Sequence, residues 1–263
     1  TETTMAGADF YDVGDTWVES THVVGQATAQ LKIVGGDADV DNFLLATRSN
    51  KLDLQGEVLD DKIKAVREAF LDAFYYGDNS TNAKQFSGLH KLMTSTTYNT
   101  VHAGTGTGSV LSIVKLQSAI DLITGWEATH LLMTKSMRRY INVYLDSIGD
   151  KFTAVRDDYG KMVEYFRGLK ICVDDNIVDT ETAASGAYSA QTGGGNTTIF
   201  IATWNAKAIC GLQKGGVTTI PLGDLETKDA KRWRIRWYPS LKFEDLRSAA
   251  KVDGIVAAGT VTA

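Results

Sequence analysis

The clearest pattern of hydrophobic and polar positions covers residues 58–76. Apolar side chains recur there at spacings of three and four, which places them along one side of an α-helix. They are Leu59, Ile63, Val66, Phe70, Ala73 and Phe74. Gly77 follows directly, where a residue in the left-handed conformation often ends a helix. The pattern predicts an amphipathic helix over 58–76, about 28 Å long at 1.5 Å per residue.

Short β-like segments precede this helix between positions 17 and 45, and they include VESTHVV and ATAQLKIV. A turn is predicted at Gly35-Gly36-Asp37, because Gly-Gly-Asp between β-prone runs is a hairpin signal. Few large apolar residues lie in this part of the chain. We therefore expect a hairpin that protrudes from the core.

Shorter helices and several strands follow. Helical spacing predicts a helix over 110–123, capped by Ser109, and another that begins at Ser136 and ends at Gly149. A short buried strand is predicted at 128–134 and a further strand at 197–203, and a Ser/Ala/Gly-rich stretch over 180–196 is predicted to be a flexible loop. Separate helical and strand segments of this kind predict an α+β fold.

Composition narrows the function classes. The chain has 263 residues, of which 43% are hydrophobic and 22% charged, as in ordinary globular proteins. No apolar run approaches the roughly 18 residues that span a bilayer, so no membrane partner is expected. The net charge of −5 argues against a dedicated nucleic-acid binder. Cys172 and Cys210 lie among apolar residues, which favours reduced thiols over a disulfide.

The sequence offers no convincing catalytic centre, cofactor site or metal site. The four histidines are too far apart along the chain for a zinc motif. The glycine-rich stretch at 104–109 lacks the Lys-Ser/Thr ending of a phosphate-binding loop. We therefore expect that the protein is not an enzyme.

Carboxylates alternate at Asp37, Asp39 and Asp41, as at the start of a calcium-binding loop. The match then fails, because Asn42 occupies the glycine position and Arg48 the final glutamate position. We interpret the three carboxylates as an acidic hairpin tip, either solvated or facing a basic patch on a neighbouring subunit.

Arginines alternate with apolar residues at 232–237, in the run RWRIRW. A strand would direct Arg232, Arg234 and Arg236 to one face, where three like charges about 7 Å apart repel one another. Either solvent or a surface of carboxylates or phosphates would have to face them. We hypothesise that seven residues take part in inter-subunit interaction: Lys32, Asp37, Asp39, Asp41, Arg232, Arg234 and Arg236.

Several segments resemble the major capsid proteins of tailed bacteriophages that have the HK97-like fold, named after phage Hong Kong 97. They are QFSGLHKLM after the long helix, WEATHLLMTKSMRRYINVYLDS, FRGLKICVDDNI, and the run from TIFIATWNAKAICGLQKGGV to WRIRWYPSLKFEDLRSAAKVDGIV. The resemblance covers most residues from about 50 to 256. It lies in the order of the segments rather than in an invariant motif.

The resemblance implies an HK97-like capsid fold and a division of the chain. The parts would be an N-terminal arm (1–16), an extended β-hairpin loop (17–48), a peripheral domain (49–125) with the spine helix 58–76, an axial domain (126–238), and a return to the peripheral domain (239–263). In such shells the arm and the extended loop lie across neighbouring subunits.

The resemblance also implies a function. Many copies would self-assemble as hexamers and pentamers into the icosahedral head shell of a virion, which encloses double-stranded DNA without gripping it specifically. Assembly would occur in the host cytoplasm, with portal, scaffold or decoration proteins as partners. Family precursors often lose an N-terminal scaffolding segment, and Thr1 is consistent with such cleavage or with a trimmed chain.

Two alternatives remain open. An encapsulin, the shell protein of a bacterial nanocompartment, has the same fold and a similar length. The second and weaker alternative is a soluble enzyme, whose site would be built from dispersed residues of the 180–196 loop and the Asp174-Asp175 turn.

Overall fold

The computed structural model describes residues 2–4, 10–17, 23–24, 28–48, 53–104, 108–182 and 191–262. Most of VESTHVV, and positions 105–107 and 183–190 of two predicted loops, lie outside the described residues.

The helices are α1 (Asn42–Arg48), α2 (Leu54–Tyr76), α3 (Leu89–Leu92), α4 (Ile113–Asp121) and α5 (Lys135–Ser147). The strands are β1 (Glu2–Thr4), β2 (Val23–Val24), β3 (Val34–Asp41), β4 (Thr100–His102), β5 (His130–Met133), β6 (Thr153–Arg156), β7 (Met162–Phe166), β8 (Leu169–Val173), β9 (Asn196–Ala202), β10 (Ile209–Gln213), β11 (Thr218–Asp224), β12 (Ala230–Trp237), β13 (Pro239–Phe243) and β14 (Ala249–Val256).

A mixed sheet of seven strands forms the centre of the fold, in the order β4-β14-β9-β5-β8-β7-β6. The pairs β14–β4 and β5–β8 are parallel and the others antiparallel. With its helices, this sheet confirms the predicted α+β class.

Strand β9 lies between two hydrophobic clusters formed by the described residues, and all seven of its residues are buried. Because side chains alternate along a strand, Ile199 and Ile201 enter one cluster, with α4 and α5. Phe200 and Ala202 enter the other, with the end of α2 and with β10 and β13. The predicted strand 197–203 therefore exists, shifted by one residue.

A separate antiparallel sheet has the order β11-β12-β3. Strand β3 runs straight through Gly35, Gly36 and Asp37, so the predicted turn at these residues is wrong. Glycine is needed at positions 35 and 36 because atoms of other residues lie close to the backbone there. A side chain at Gly35 would meet the backbone oxygen of Ile235 in β12, and one at Gly36 would meet Lys62 of α2.

The long helix α2 confirms the strongest pattern in the sequence. It begins four residues earlier than predicted, because the carboxylate of Asp53 accepts a hydrogen bond from Gly56 N at 3.1 Å and caps the helix. It ends at Tyr76 as predicted, but Gly77 has φ −56° and is not left-handed. Glycine is required there for space, because a Cβ would collide with the backbone oxygens of Ala73 and Phe86.

The other predicted helices differ from α4 and α5 mainly at their starts. Helix α4 begins at Ile113 because Ser109 and Ser112 make β-bridges to the C-terminal part of the chain. Helix α5 begins one residue before Ser136, because Thr134 caps it by accepting from Met137 N at 3.3 Å.

The predicted flexible loop 180–196 is wrong at both ends. Glu181 is fully buried and bridges Asn196, the first residue of β9. Within the part of the chain that is described, no helix combines the length and the apolar character that a bilayer crossing requires.

We expect Gly35→Ala to destabilise the subunit by about 1–3 kcal/mol, because the new Cβ would force β3 away from β12. Denaturant unfolding measures this loss. Gly211→Ala is the matched control, since Gly211 also lies in a strand but has no atom within 4 Å of the added Cβ. Equal stability of the two variants would contradict the close approach.

Candidate functional site: a charged sheet and a buried polar cluster

The acidic and basic rows predicted from the sequence meet each other within one chain. In the register of β3 and β12, Arg232 lies opposite Asp39 and Arg234 opposite Asp37. Each pair is bidentate: Arg232 donates to both carboxylate oxygens at 2.6 and 2.7 Å, and Arg234 does so at 2.7 and 2.8 Å. We call these two ion pairs the charged ladder. Its carboxylates provide the acidic surface that the arginines require.

The ion pairs of the charged ladder shift the pKa values of its four side chains. The hydrogen bonds from Arg234 hold the pKa of Asp37 below its ordinary value, and those from Arg232 do the same for the pKa of Asp39. The carboxylates in turn raise the pKa of each arginine. All four groups therefore stay ionised across the neutral range, so the ladder is a permanent pattern of charge.

The opposite face of the same sheet is apolar and packs on α2. Ala38, Val40 and Ile235 are buried there, as alternation along β3 and β12 requires. The ring of Phe70 in α2 lies 4.5 Å from that of Trp237. The helix therefore covers one face of the sheet, and the ladder lies on the other.

The remaining three predicted residues have separate surroundings. Arg236 is exposed, lies opposite Gly35, and stacks 5.8 Å above the ring of Tyr238. Asp41 caps α1, accepting from Phe43 N at 2.8 Å. Lys32 donates to Ala83 O at 2.8 Å. An inter-subunit role for the seven residues stays a prediction.

A second arrangement, the buried polar cluster, consists of Tyr76, His90, Glu181, Thr198, Lys251 and Asp253. Glu181 lies at its centre and is inaccessible to solvent. Its Oε1 accepts from Tyr76 OH at 2.6 Å and lies 3.1 Å from His90 Nε2, while its Oε2 accepts from Thr198 at 2.5 Å. One carboxylate thus joins α2, α3 and β9.

Lys251 and Asp253 bring further charge into this interior from β14. The ammonium of Lys251 lies 3.4 Å from Asp253 Oδ2, within ion-pair distance but without an aligned hydrogen bond. Burial lowers the pKa of Lys251, and the attraction of Asp253 opposes that shift. Asp253 also contacts His102 Nδ1 at 2.5 Å, which extends the network to β4 and towards the surface.

Sequence reasoning missed this cluster. Glu181 falls in a stretch of small residues that favours a loop, and the side chains that its carboxylate contacts come from positions 76, 90 and 198. One local signal existed: Lys251 and Asp253 interrupt the apolar strand AAKVDGIV, where a buried charge needs a partner.

Asp174 and Asp175, which the enzyme alternative would place in its site, form hydrogen bonds and an ion pair within the fold. Asp174 accepts from Tyr75 OH at 2.7 Å and from Asn176 N at 3.0 Å, and Asp175 pairs with Lys135. Burial alone would raise the pKa of Asp174, but these hydrogen bonds hold it below its ordinary value.

Neither cysteine is in a disulfide, and both are half-buried. Among the described residues, His, Cys, Asp and Glu side chains form no group of three that could hold a metal ion. The charged ladder and the polar cluster hold distant segments of the chain together.

Large apolar side chains are nevertheless exposed in two N-terminal stretches, 10–17 and 31–43. The most exposed of these residues are Phe10, Val13, Trp17, Ile33 and Phe43.

No protein-family model matches the chain, and no curated protein matches it significantly in sequence. Solved structures do match. The capsid of a native GTA particle has a TM-score of 0.70 and 10% identity, over 97% of this chain and 83% of the other. The SrpI encapsulin of Synechococcus elongatus PCC 7942 has a TM-score of 0.69 and 16% identity, over 89% and 77%. A structure of Gordonia phage Cozz has a TM-score of 0.62 and 13% identity, over 100% and 80%.

These likenesses show that the chain has the HK97-like fold found in capsid and encapsulin shells. The fold expected from the resemblance in sequence is therefore confirmed at the level of the architecture.

We expect Glu181→Ala to lower the free energy of unfolding by about 3–5 kcal/mol, because it leaves Tyr76, His90 and Thr198 buried without their shared carboxylate, and each such loss costs about 1–3 kcal/mol. Chemical denaturation measures the effect. Glu68→Ala, on the exposed side of α2, should change stability by less than about 0.5 kcal/mol. A loss no larger than in this control would show that the cluster contributes little.

The charged ladder should show a favourable coupling between Arg232 and Asp39 in a double-mutant cycle to alanine, because the single variants each remove the same pair. The pKa of Asp39 is lowered by folding, so the coupling is fully present at neutral pH and is lost as the pH falls below about 4. Salt should weaken it, since the pair is partly exposed. A coupling that is independent of both pH and salt would contradict an ionic origin.

Proposed function

We propose that this chain is a structural shell protein, the major capsid protein of a tailed phage. Many copies would self-assemble into the icosahedral head that encloses the double-stranded DNA genome. The observation that carries the proposal is the likeness to a GTA capsid over 97% of this chain, at a TM-score of 0.70. The exposed apolar side chains of residues 10–17 and 31–43 support it, because neighbouring subunits would cover them.

In this proposal α2 is the spine helix of the peripheral domain. The arm is 1–16, the extended loop 17–48, the peripheral domain 49–125 with 239–263, and the axial domain 126–238. The length of α2, 23 residues, supports the spine assignment. The helix packs on the charged sheet and reaches the polar cluster with its last residue, so it connects the two arrangements.

Contacts between subunits would use the same charged sheet. Internal pairing of Arg232 and Arg234 leaves Arg236 as the arginine of the row without a described carboxylate partner. A carboxylate of a neighbouring subunit would complete the row, and the ladder would hold β3 in place for that contact. Portal, scaffold and decoration proteins would bind the assembled shell.

An encapsulin shell is the second candidate, and a specific observation favours it. The SrpI encapsulin matches this chain with a TM-score of 0.69, close to that of the GTA capsid. The net charge of −5 fits either content, because the wall of a container need not bind what it encloses. Both candidates assign the chain a structural role rather than a catalytic one.

Expression of the chain should yield closed particles, measured by size-exclusion chromatography and cryo-electron microscopy. The contents of the particles distinguish the two candidates. Packaged DNA and a tail vertex identify the phage head, and an enclosed enzyme identifies the nanocompartment.

Subunits that remain small under every condition of salt, pH and concentration would overturn both candidates. Gly35→Ala, which we expect to disturb the sheet next to the proposed contact, should lower the particle yield more than Gly211→Ala. Equal particle yields would argue against a contact through the charged sheet.

A further inference from the structure

One edge of the central sheet has no further strand beside it in the described part of the chain. Strand β6 is the last in the order of that sheet, pairs only with β7, and has all four of its residues exposed. The edge strand β11 differs, because Pro221 and a shift of register interrupt it. Proline and bulges hinder the addition of a strand to an edge. Strand β6 contains neither, so its edge can accept another strand.

The hydrogen bonds of the β6–β7 hairpin show which backbone groups of β6 point outward. Asp157 N donates to Lys161 O at 2.8 Å where the two strands join. Opposed residues of an antiparallel pair alternate between bonded and non-bonded pairs, so the residues two and four positions before Asp157 bond to β7. The N–H and C=O groups of Ala154 and Arg156 therefore face the open edge.

A groove of about 310 Å³ lies beside this edge, between α5 and Glu164 of β7. Ala154 is opposite Glu164 in the register, so both side chains lie on the face of the sheet that α5 covers. Because Ala154 has only a methyl group, a side chain of an added strand can reach across it towards the groove. Val143 of α5 and Met162 of β7, which are 62% and 57% exposed, make this surface partly apolar.

Positive charge predominates along the groove. The charged residues that line it are Lys135, Arg138, Arg139, Asp146 and Glu164. Lys135 pairs with Asp175, and Arg138 lies 3.6 Å from Glu164, which is a loose ion pair. Asp146 lies seven residues beyond Arg139 in α5, about 10 Å further along the helix axis.

Two arginines of this surface, Arg139 and Arg156, have no carboxylate within ion-pair distance among the described residues. Arg139 instead lies 5.3 Å from the centre of the ring of Tyr140. Arg156 is opposite Met162 in the register, so it shares the face of the groove. Guanidinium groups bind carboxylates with two parallel hydrogen bonds, so this pair of arginines favours an acidic partner.

We propose that β6 binds an extended acidic segment of a partner protein, which adds to the central sheet as a further strand. Its backbone would bond to Ala154 and Arg156, and one of its apolar side chains would enter the groove beside Val143. Its carboxylates would face Arg139 and Arg156. In recognition of this kind, main-chain hydrogen bonds supply affinity and side-chain pockets supply specificity. The inference goes beyond the shell function, because a single folded subunit already has this edge.

The observations favour a protein segment over two other occupants. The phosphates of DNA would leave the backbone groups of the edge and the side chain of Val143 without a partner. A second copy that paired its own β6 with this strand would bring no carboxylate to the arginines, because the strand Thr153–Arg156 contains none.

Peptide binding to the full chain tests the inference. The probe is a short fluorescein-labelled peptide in which valine and aspartate alternate, and fluorescence anisotropy measures its binding. We expect this peptide to bind, and amide hydrogen exchange to slow at Ala154 and Arg156 when it does. Two control peptides should not bind: one with lysine in place of aspartate, and one with methylated backbone nitrogens that cannot add as a strand.

Variants of the chain supply a second measurement. Ala154→Pro removes one N–H from the open edge without removing a bond to β7, so it should weaken binding of the acidic peptide by about tenfold. Arg139→Glu with Arg156→Glu should also weaken binding by about tenfold, because two attractive contacts become repulsive. Lys207→Glu with Lys214→Glu, the same change of charge at exposed positions beside β10, should leave binding unchanged.

Several results would overturn the proposal. They include no binding of the acidic peptide up to its solubility limit, equal binding of the methylated peptide, and equal affinity in the two charge-reversal variants. Tighter binding of a double-stranded DNA oligonucleotide that depends on Arg139 and Arg156 would assign the surface to phosphates instead. Protection of the β6 edge that rises with the concentration of the chain alone would assign it to a second copy.

Discussion

The burial of β9 on both faces is the constraint on which the rest of the structure depends. All seven of its residues are buried, so each face needs its own hydrophobic cover. Helices α4 and α5 cover one face, while the end of α2 and the sheet of β10 and β13 cover the other. A strand in this position cannot tolerate a change of register, because a shift of one residue would exchange the two faces.

The polar cluster is a consequence of that packing. The same crowding around β9 brings the end of α2, helix α3 and strand β14 to one point, where their polar groups lose access to water. The carboxylate of Glu181 satisfies several of these groups together, and such a network fixes the relative position of the elements it joins because partial satisfaction is costly. Helix α2 is thus held at its C-terminal end by hydrogen bonds and along its length by apolar contacts with the charged sheet.

Sequence patterns within a single segment predicted the helices and strands whose formation depends mainly on that segment. The spacing of Val66, Phe70 and Ala73 gave α2, and the alternation around Ile235 gave β12, because each pattern is read within one element. Gly35 of β3 was misread as part of a turn, since the strand that explains it, β12, lies about two hundred residues away. Glu181 was misread for the same reason. A long-range partner decides both positions, and a single sequence carries no record of it.

The separation between the members of the charged ladder has a consequence for synthesis. Asp37 and Arg234 are 197 residues apart, so most of the chain must leave the ribosome before β3 can pair with β12. Contacts between residues so far apart in the sequence form late in folding, because closing a long loop costs entropy before any contact is gained. Until that moment the polar edge of β3 has no strand beside it. The completed sheet therefore distinguishes a finished subunit from a truncated or nascent one.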